Sequence, residues 1–81
     1  MIKVDIQSIL DEKGITRYEL AKRVGITYPT MDSIYKGKST SIKFEILEKI
    51  CLELECTPND ILSTDDPTLQ QIYLSYNKSN N

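Results

Sequence analysis

Residues 16 to 37, TRYELAKRVGITYPTMDSIYKG, constrain the fold more than any other stretch. Thr16-Arg17-Tyr18-Glu19 is a capping box: the threonine hydroxyl accepts from the amide three residues on, and the glutamate reaches back. Leu20, Ala21 and Val24 follow at helical spacing as one apolar face. Gly25 stops that helix, since glycine enters the left-handed conformation without a Cβ penalty. Ile26 is apolar, and Thr27 is the next N-cap. Pro29 stands in the first turn of the following helix, where a missing N–H breaks no internal bond. Gly37 closes this helix, which the spacing predicts over roughly residues 28 to 36. Two short helices across one glycine must pack on each other, and 81 residues offer one small domain in which to do so.

The remaining segments use the same signals. Ile6, Ile9 and Leu10 stand at helical spacing within residues 4 to 12, ahead of a stop at Gly14. Ser39-Thr40-Ser41 reads as a loop, with Ser41 capping a fourth helix that carries Phe44, Leu47, Ile50, Cys51 and Leu54 on one side. Thr57-Pro58-Asn59-Asp60 opens a short fifth helix through Leu62. No strand pattern and no repeat is visible. The expected class is all-α, a compact five-helix domain over residues 1–62. A C-terminal extension covers residues 63–81. There Asp65-Asp66-Pro67 reads as another helix start, followed by an apolar stripe of Leu69, Ile72, Tyr73 and Tyr76 and a frayed end at 77–81. An isolated helix of about ten residues is marginal in water. The stripe is therefore expected to pack, either near the first and fifth helices or on a second copy.

Several function classes are excluded. The content of 40% hydrophobic and 27% charged residues is ordinary for a soluble globular chain. No apolar run approaches the roughly 20 residues that span a bilayer, and the N-terminus has acids where a signal peptide would be apolar. The cytoplasm is the expected location. Cys51 and Cys56 are the only cysteines, histidine is absent, and no CxxC pair occurs, so no metal site is expected. The cysteines, five residues apart, are not expected to face each other and read as small buried hydrophobes. There is no glycine-rich phosphate loop and no nucleophile–base pair, and capping accounts for Asp65-Asp66. The chain is expected not to be an enzyme and to carry no cofactor and no small-molecule ligand.

Charge is distributed unevenly. The chain carries a net charge of -2, yet residues 13 to 43 hold seven basic residues (Lys13, Arg17, Lys22, Arg23, Lys36, Lys38, Lys43) against two acids, Glu19 and Asp32. A local positive face can bind phosphates despite an acidic total. Within the third helix, Tyr28, Pro29, Asp32, Ser33 and Lys36 share an arc of roughly 140° at about 100° per residue. Met31 and Ile34 lie opposite and can pack on Leu20, Ala21 and Val24. Tyr35 falls at the margin, and Tyr18 and Tyr35 read as partial core.

Two helices joined by a tight glycine turn, the second presenting polar residues outward, form a helix-turn-helix arrangement. The stretch TRYELAKRVGITYPTMDSIYKGK resembles that of the Cro/repressor (Xre-type) family: Thr16, Glu19, Leu20, Ala21, Gly25, Thr27, Met31, Ile34 and Gly37 stand where its pattern wants them. The resemblance covers about residues 2 to 62. It implies a sequence-specific DNA-binding transcriptional regulator whose third helix enters the major groove of double-stranded DNA. Its recognition positions fall on Tyr28, Pro29, Thr30, Asp32 and Ser33, next to the Thr27 cap. The start of helix two gives Thr16 and Arg17, and the helix-three end and following loop give Lys36, Lys38, Thr40 and Lys43.

The sequence departs from many family members, which carry glutamine or arginine at the first recognition positions. Tyr28 and Pro29 cannot form bidentate amide contacts with a base. Asp32 could accept from cytosine N4, and Ser33 suits almost any base. Arg17, Lys36, Lys38 and Lys43 are expected on phosphates. The alternative reading is a protein-interaction module, such as an antitoxin or a regulator's partner, with little direct DNA binding. One recognition helix spans too few base pairs for useful specificity, so a homodimer reading two half-sites is expected.

Overall fold

The computed structural model describes residues 1–79, with side chains through Tyr76. The elements run β1 Ile2–Val4, α1 Gln7–Lys13, α2 Arg17–Val24, α3 Tyr28–Tyr35, α4 Phe44–Leu54, α5 Pro58–Ile61, β2 Leu62–Thr64 and α6 Pro67–Ser79. The mostly helical class is as expected, and all six expected helices are present among the described residues.

Glycine ends α1 and α2 in the same way. Gly14 (φ 66) and Gly25 (φ 85) adopt the left-handed conformation, and the residues after them donate back to the last turn, Ile15 to the Leu10 carbonyl and Ile26 to that of Ala21, both at 3.0 Å. The turn conformation expected at Gly25 is present. Ile6, Leu10, Leu20, Met31, Ile50, Leu54 and Ile61 are fully buried and form one core shared by α1 to α5. Helix α2 is central to it, packing on both α3 and α4.

The expectation of no strand is corrected. Residues 2–4 pair antiparallel with residues 62–64, in the register Ile2↔Thr64, Lys3↔Ser63 and Val4↔Leu62. The Asp5 amide extends the ladder to the Ile61 carbonyl at 2.7 Å. Three residues are too few to display an alternation of period two, and the partner strand lies at the other end of the chain. Pairing also delays α1 from residue 4 to Gln7, with Ile6 as its N-cap and no side-chain capping bond. The boundary expected between residues 62 and 63 falls inside β2, so the start of the extension is tied into the fold.

Helix α4 differs from expectation at both ends. Its N-cap is Lys43 rather than Ser41, with extended backbone and no side-chain cap, because half-buried Ile42 packs on the core and keeps the loop extended. Phe44, expected on the inner face, is 87% exposed. Helical Cβ atoms tilt toward the N-terminus, so the first residue of a helix projects past the surface its later turns cover. At the C-terminus, Glu55 takes the left-handed conformation (φ 53) and folds the chain back, so that the Cys56 amide donates to the Cys51 carbonyl at 3.0 Å. The cysteines are thus neighbours across the helix end, contrary to expectation. Both are free, Cys51 buried, and burial together with Cys51 pushes the Cys56 thiol up.

Helix α5 is held by Asp60, whose carboxylate accepts from the Thr57 amide at 2.9 Å and hydroxyl at 3.0 Å. Helix α6 starts on Asp66, which accepts from the amides of Thr68 and Leu69 at 2.9 and 3.0 Å. It continues through Ser79, beyond the fraying expected from Asn77; residues 80 and 81 of that expectation lie outside the described residues. Among the described residues, no helix is long and apolar enough to cross a membrane.

Candidate nucleic-acid interface

The site begins with the cap of α2. Thr16 accepts from the Glu19 amide at 3.0 Å, and its hydroxyl donates to the Glu19 carboxylate at 3.1 Å, so Glu19 reaches the side chain rather than the amide. Fixing Thr16 fixes the start of α2, and with it Arg17. Thr27 caps α3 in the same manner, accepting from the Thr30 amide at 3.4 Å, while the two threonine hydroxyls lie 2.9 Å apart. Both cap threonines are therefore engaged in holding the backbone of the helix starts.

Helix α3 divides as its spacing predicts. Met31 and Ile34 are buried, while Tyr28, Pro29, Thr30 and Lys36 are exposed. Asp32 and Ser33 are half-buried, because each is bound to a neighbour. Asp32 accepts from Arg17 at 2.6 Å and from Lys36 at 2.9 Å. Arg17 also lies over the Tyr35 ring, 4.4 Å from its centroid. The Ser39 hydroxyl donates to that of Ser33 at 3.3 Å, tying the loop to the helix. Tyr35 is anchored in turn, its carbonyl accepting from the Gln7 side chain at 2.9 Å.

The electrostatics follow from this cluster. The hydrogen bond from Lys36, reinforced by the charges of Lys36 and Arg17, holds the Asp32 carboxyl below the usual carboxylate range against partial desolvation. Asp32 is thus an anion already supplied with two cations, which leaves it poorly suited to accept from a cytosine amine. Lys38 and Lys43 are exposed and form no ion pair among the described residues, and Thr40 is exposed in the loop between them. The structure gathers Arg17, Asp32 and Lys36 into one cluster, with Thr16 bound to Glu19 at the helix start beside Arg17. Tyr28, Pro29 and Thr30 sit at the tip of α3, and Lys38, Thr40 and Lys43 lie along the loop to α4.

Of the two side chains read as partial core, Tyr35 is half-buried against the core as expected, whereas Tyr18 belongs to this surface. Tyr18 is 64% exposed, and its ring lies 6.4 Å from that of Tyr28, tilted by 44°. The available signal was its place roughly 160° around the helix from Leu20 at about 100° per residue. Tyr35 supports the Arg17 guanidinium, a contact with no local signal because the residues come from different helices.

Comparison with known proteins matches this geometry. The family model described as Cro/C1-type HTH DNA-binding domain matches residues 5–67. An HTH-type transcriptional regulator of Bacillus subtilis (strain 168), YozG, itself uncharacterized, is 39% identical over 61 residues, covering 75% of this chain and 73% of its own. Among solved structures, a Bacteroides fragilis protein provisionally assigned as DNA-binding superposes with a TM-score of 0.71 at 25% identity, covering 78% of this chain and all of its own. The biofilm master regulator SinR, solved in complex with DNA, superposes with a TM-score of 0.61 at 28% identity, covering 67% of this chain and 86% of its own.

Proposed function

The chain belongs to the Cro/C1-type HTH DNA-binding family, and from that premise we propose how this DNA-binding transcriptional regulator engages its operator. Helix α3 enters the major groove, and α2 lies across the backbone. The observation that carries this reading is the division of α3, which buries Met31 and Ile34 under α2 and turns Tyr28, Pro29 and Thr30 outward. The similar protein SinR was solved on DNA, which supports the same use of the fold.

Tyr28, Pro29, Thr30 and Ser33 meet base edges in this proposal. Tyr28 supplies a hydroxyl, and Pro29 an apolar surface suited to a thymine methyl. Arg17, Lys36, Lys38 and Lys43 meet phosphates, with Thr16, Thr27 and Thr40 holding or lining the backbone path. Asp32 orients the cations. It fixes Arg17 over Tyr35 and draws Lys36 to the same edge, so that both chains lose less freedom on binding. The protein works in the cytoplasm as a homodimer on two half-sites, by binding rather than by catalysis. DNA recognition falls to residues 1–62, and the extension 63–81 serves self-association.

Fragments selected from random DNA provide the operator for the test. Lys38→Ala and Arg17→Ala are each expected to weaken binding to all sequences and to reduce the slope of log affinity against log salt by about one unit. Tyr28→Ala and Ser33→Ala are expected to change the ranking of sequences instead. Unchanged affinity and salt slope in both cation variants would overturn the proposed face.

A further inference from the structure

Tyr18 is the second residue of α2, and Tyr28 is the first of α3. Both helices start from threonine caps, so the backbone beneath each ring is fixed. Thr16 holds the Glu19 amide at 3.0 Å, and Thr27 holds the Thr30 amide at 3.4 Å. The two rings meet across the helices, with centroids 6.4 Å apart and planes tilted by 44°. That separation lies within the range in which aromatic rings attract, and the tilt avoids the face-to-face arrangement that they disfavour. Tyr18 is 64% exposed and Tyr28 42%, so core packing does not account for the contact. We propose that Tyr18 is a positioning residue for sequence recognition: its ring props that of Tyr28 and holds the Tyr28 hydroxyl in one direction toward the base edges. This role rests on the base reading assigned to Tyr28 above.

Tyr28 needs such a prop because of its place in α3. A side chain inside a helix is kept out of one χ1 well by the turn before it. Tyr28 heads its helix and has no preceding turn, so local structure leaves its ring more freedom than a residue farther along would have. The hydroxyl lies at the far end of that ring, and each rotamer sends it to a different place. A ring that wanders must be ordered on binding, at a cost in affinity. It also offers its hydroxyl to more than one base edge, at a cost in discrimination. The cation next to Tyr18 does not supply the support. Arg17 is held by Asp32 at 2.6 Å and lies over the Tyr35 ring, 4.4 Å from its centroid. Adjacent residues of α2 therefore engage opposite ends of α3: Arg17 the tyrosine that ends it, and Tyr18 the tyrosine that begins it. The two contacts differ in kind. Arg17 brings a charge to the surface, whereas Tyr18 brings only a ring, so its influence falls on preference among sequences and not on the salt-dependent attraction to phosphates.

The test compares Tyr18→Ala and Tyr18→Phe with the parent, each as the full chain, on fragments selected from random DNA. Tyr18→Ala removes an exposed ring and is expected to leave thermal melting essentially unchanged. At the base pair where Tyr28→Ala alters the ranking, Tyr18→Ala is expected to lower the preference by about 2- to 10-fold, the range that such a ring pair covers in an equilibrium constant. The slope of log affinity against log salt is expected to stay as it is, since no charge is lost. Tyr18→Phe keeps the ring and is expected to keep the preference. In the Tyr28→Ala background, Tyr18→Ala is expected to change the ranking no further. Three-bond couplings of the Tyr28 side chain in the free protein give a readout without DNA. They are expected to report one χ1 rotamer in the parent and in Tyr18→Phe, and an average over several in Tyr18→Ala. A Tyr18→Ala chain that keeps the parent's ranking overturns the proposal, as does a Tyr28 ring already averaged over rotamers in the parent. Weaker binding of Tyr18→Phe to all sequences alike overturns it too, because the Tyr18 hydroxyl would then be a backbone contact in its own right. If Tyr28→Ala itself leaves the ranking unchanged, the base reading fails and takes the positioning role with it. If Tyr28→Ala changes the ranking and Tyr18→Ala does not, the positioning role alone fails.

Discussion

Helix α3 and helix α6 each carry an apolar stripe at helical spacing, a proline in the first turn and a side-chain cap, yet the fold treats them in opposite ways. Helix α3 puts its stripe under α2, where Met31 is fully buried, and commits its outer residues to ion pairs and solvent. Helix α6 leaves its stripe exposed beside a groove that it builds with the two-stranded sheet. Periodicity thus identifies which side of a helix needs a partner, while the length of the connection decides what partner it meets. The tight turn at Gly25 forces α3 onto α2. Helix α6 follows a strand that pairs with the opposite end of the chain, and this carries it past the core instead of onto it.

Stability measurements in dilute solution, where copies do not meet, put this contrast to its strongest test. Met31→Ala removes a fully buried side chain and is expected to cost about 2–5 kcal/mol. Ile72→Ala, on the exposed stripe, is expected to stay within about 0.5 kcal/mol. Denaturant unfolding of the two variants gives both values. Equal losses would show that α6 belongs to the monomer's core, and the contrast between the helices would collapse.

A second pair sharpens the comparison at the level of the turn. Gly25 and Glu55 both occupy the left-handed conformation, one after α2 and one after α4. A Cβ added at Gly25 meets no atom within 4 Å, so any loss there comes from the backbone and not from crowding. Gly25→Val is expected to cost about 1–2 kcal/mol. Glu55→Gly relieves the same strain and is expected to stabilise by less than about 1 kcal/mol, because glycine has more freedom to lose on folding. Thermal melting decides the matter, and shifts of the same sign in both variants would break the symmetry of the argument.

What could be read from the sequence follows the same division. The caps at Thr16 and Thr27, the turn at Gly25 and the burial of Leu20, Ala21, Val24, Met31 and Ile34 are all set within a few residues, and each stands in the structure as its spacing predicts. The strand pair, the exposure of Phe44 and the meeting of Cys51 with Cys56 depend on segments brought together by folding or on direction at a helix end. For the site, the outward arc of α3 was legible. That Asp32 is spent on Arg17 and Lys36, and that Tyr35 backs Arg17, was not, because helical spacing gives a side chain's direction and not its partner across an interface between helices.

The smallest effect concerns that cluster, and acid separates it from the rest of the fold. The Asp32 carboxyl is held below the usual carboxylate range by Lys36 first and then by Arg17. A carboxyl depressed in the folded state contributes stability above its unfolded range, and that contribution fades as pH falls through its folded value. Asp60 and Asp65 are lowered too, by the Thr57 amide and by the N-terminal amine, and they contribute acid sensitivity of their own. Comparing the parent chain with Asp32→Asn cancels those terms. The difference in melting temperature is expected to be small, because the pairs are partly exposed and screened. It is expected to be steady near neutral pH and to shrink as pH falls below the usual carboxylate range of about 4. Added salt is expected to shrink it as well. A difference that holds constant down to the lowest pH would mean that Asp32 acts through its shape and not its charge, and the electrostatic account of how Arg17 is positioned would fail.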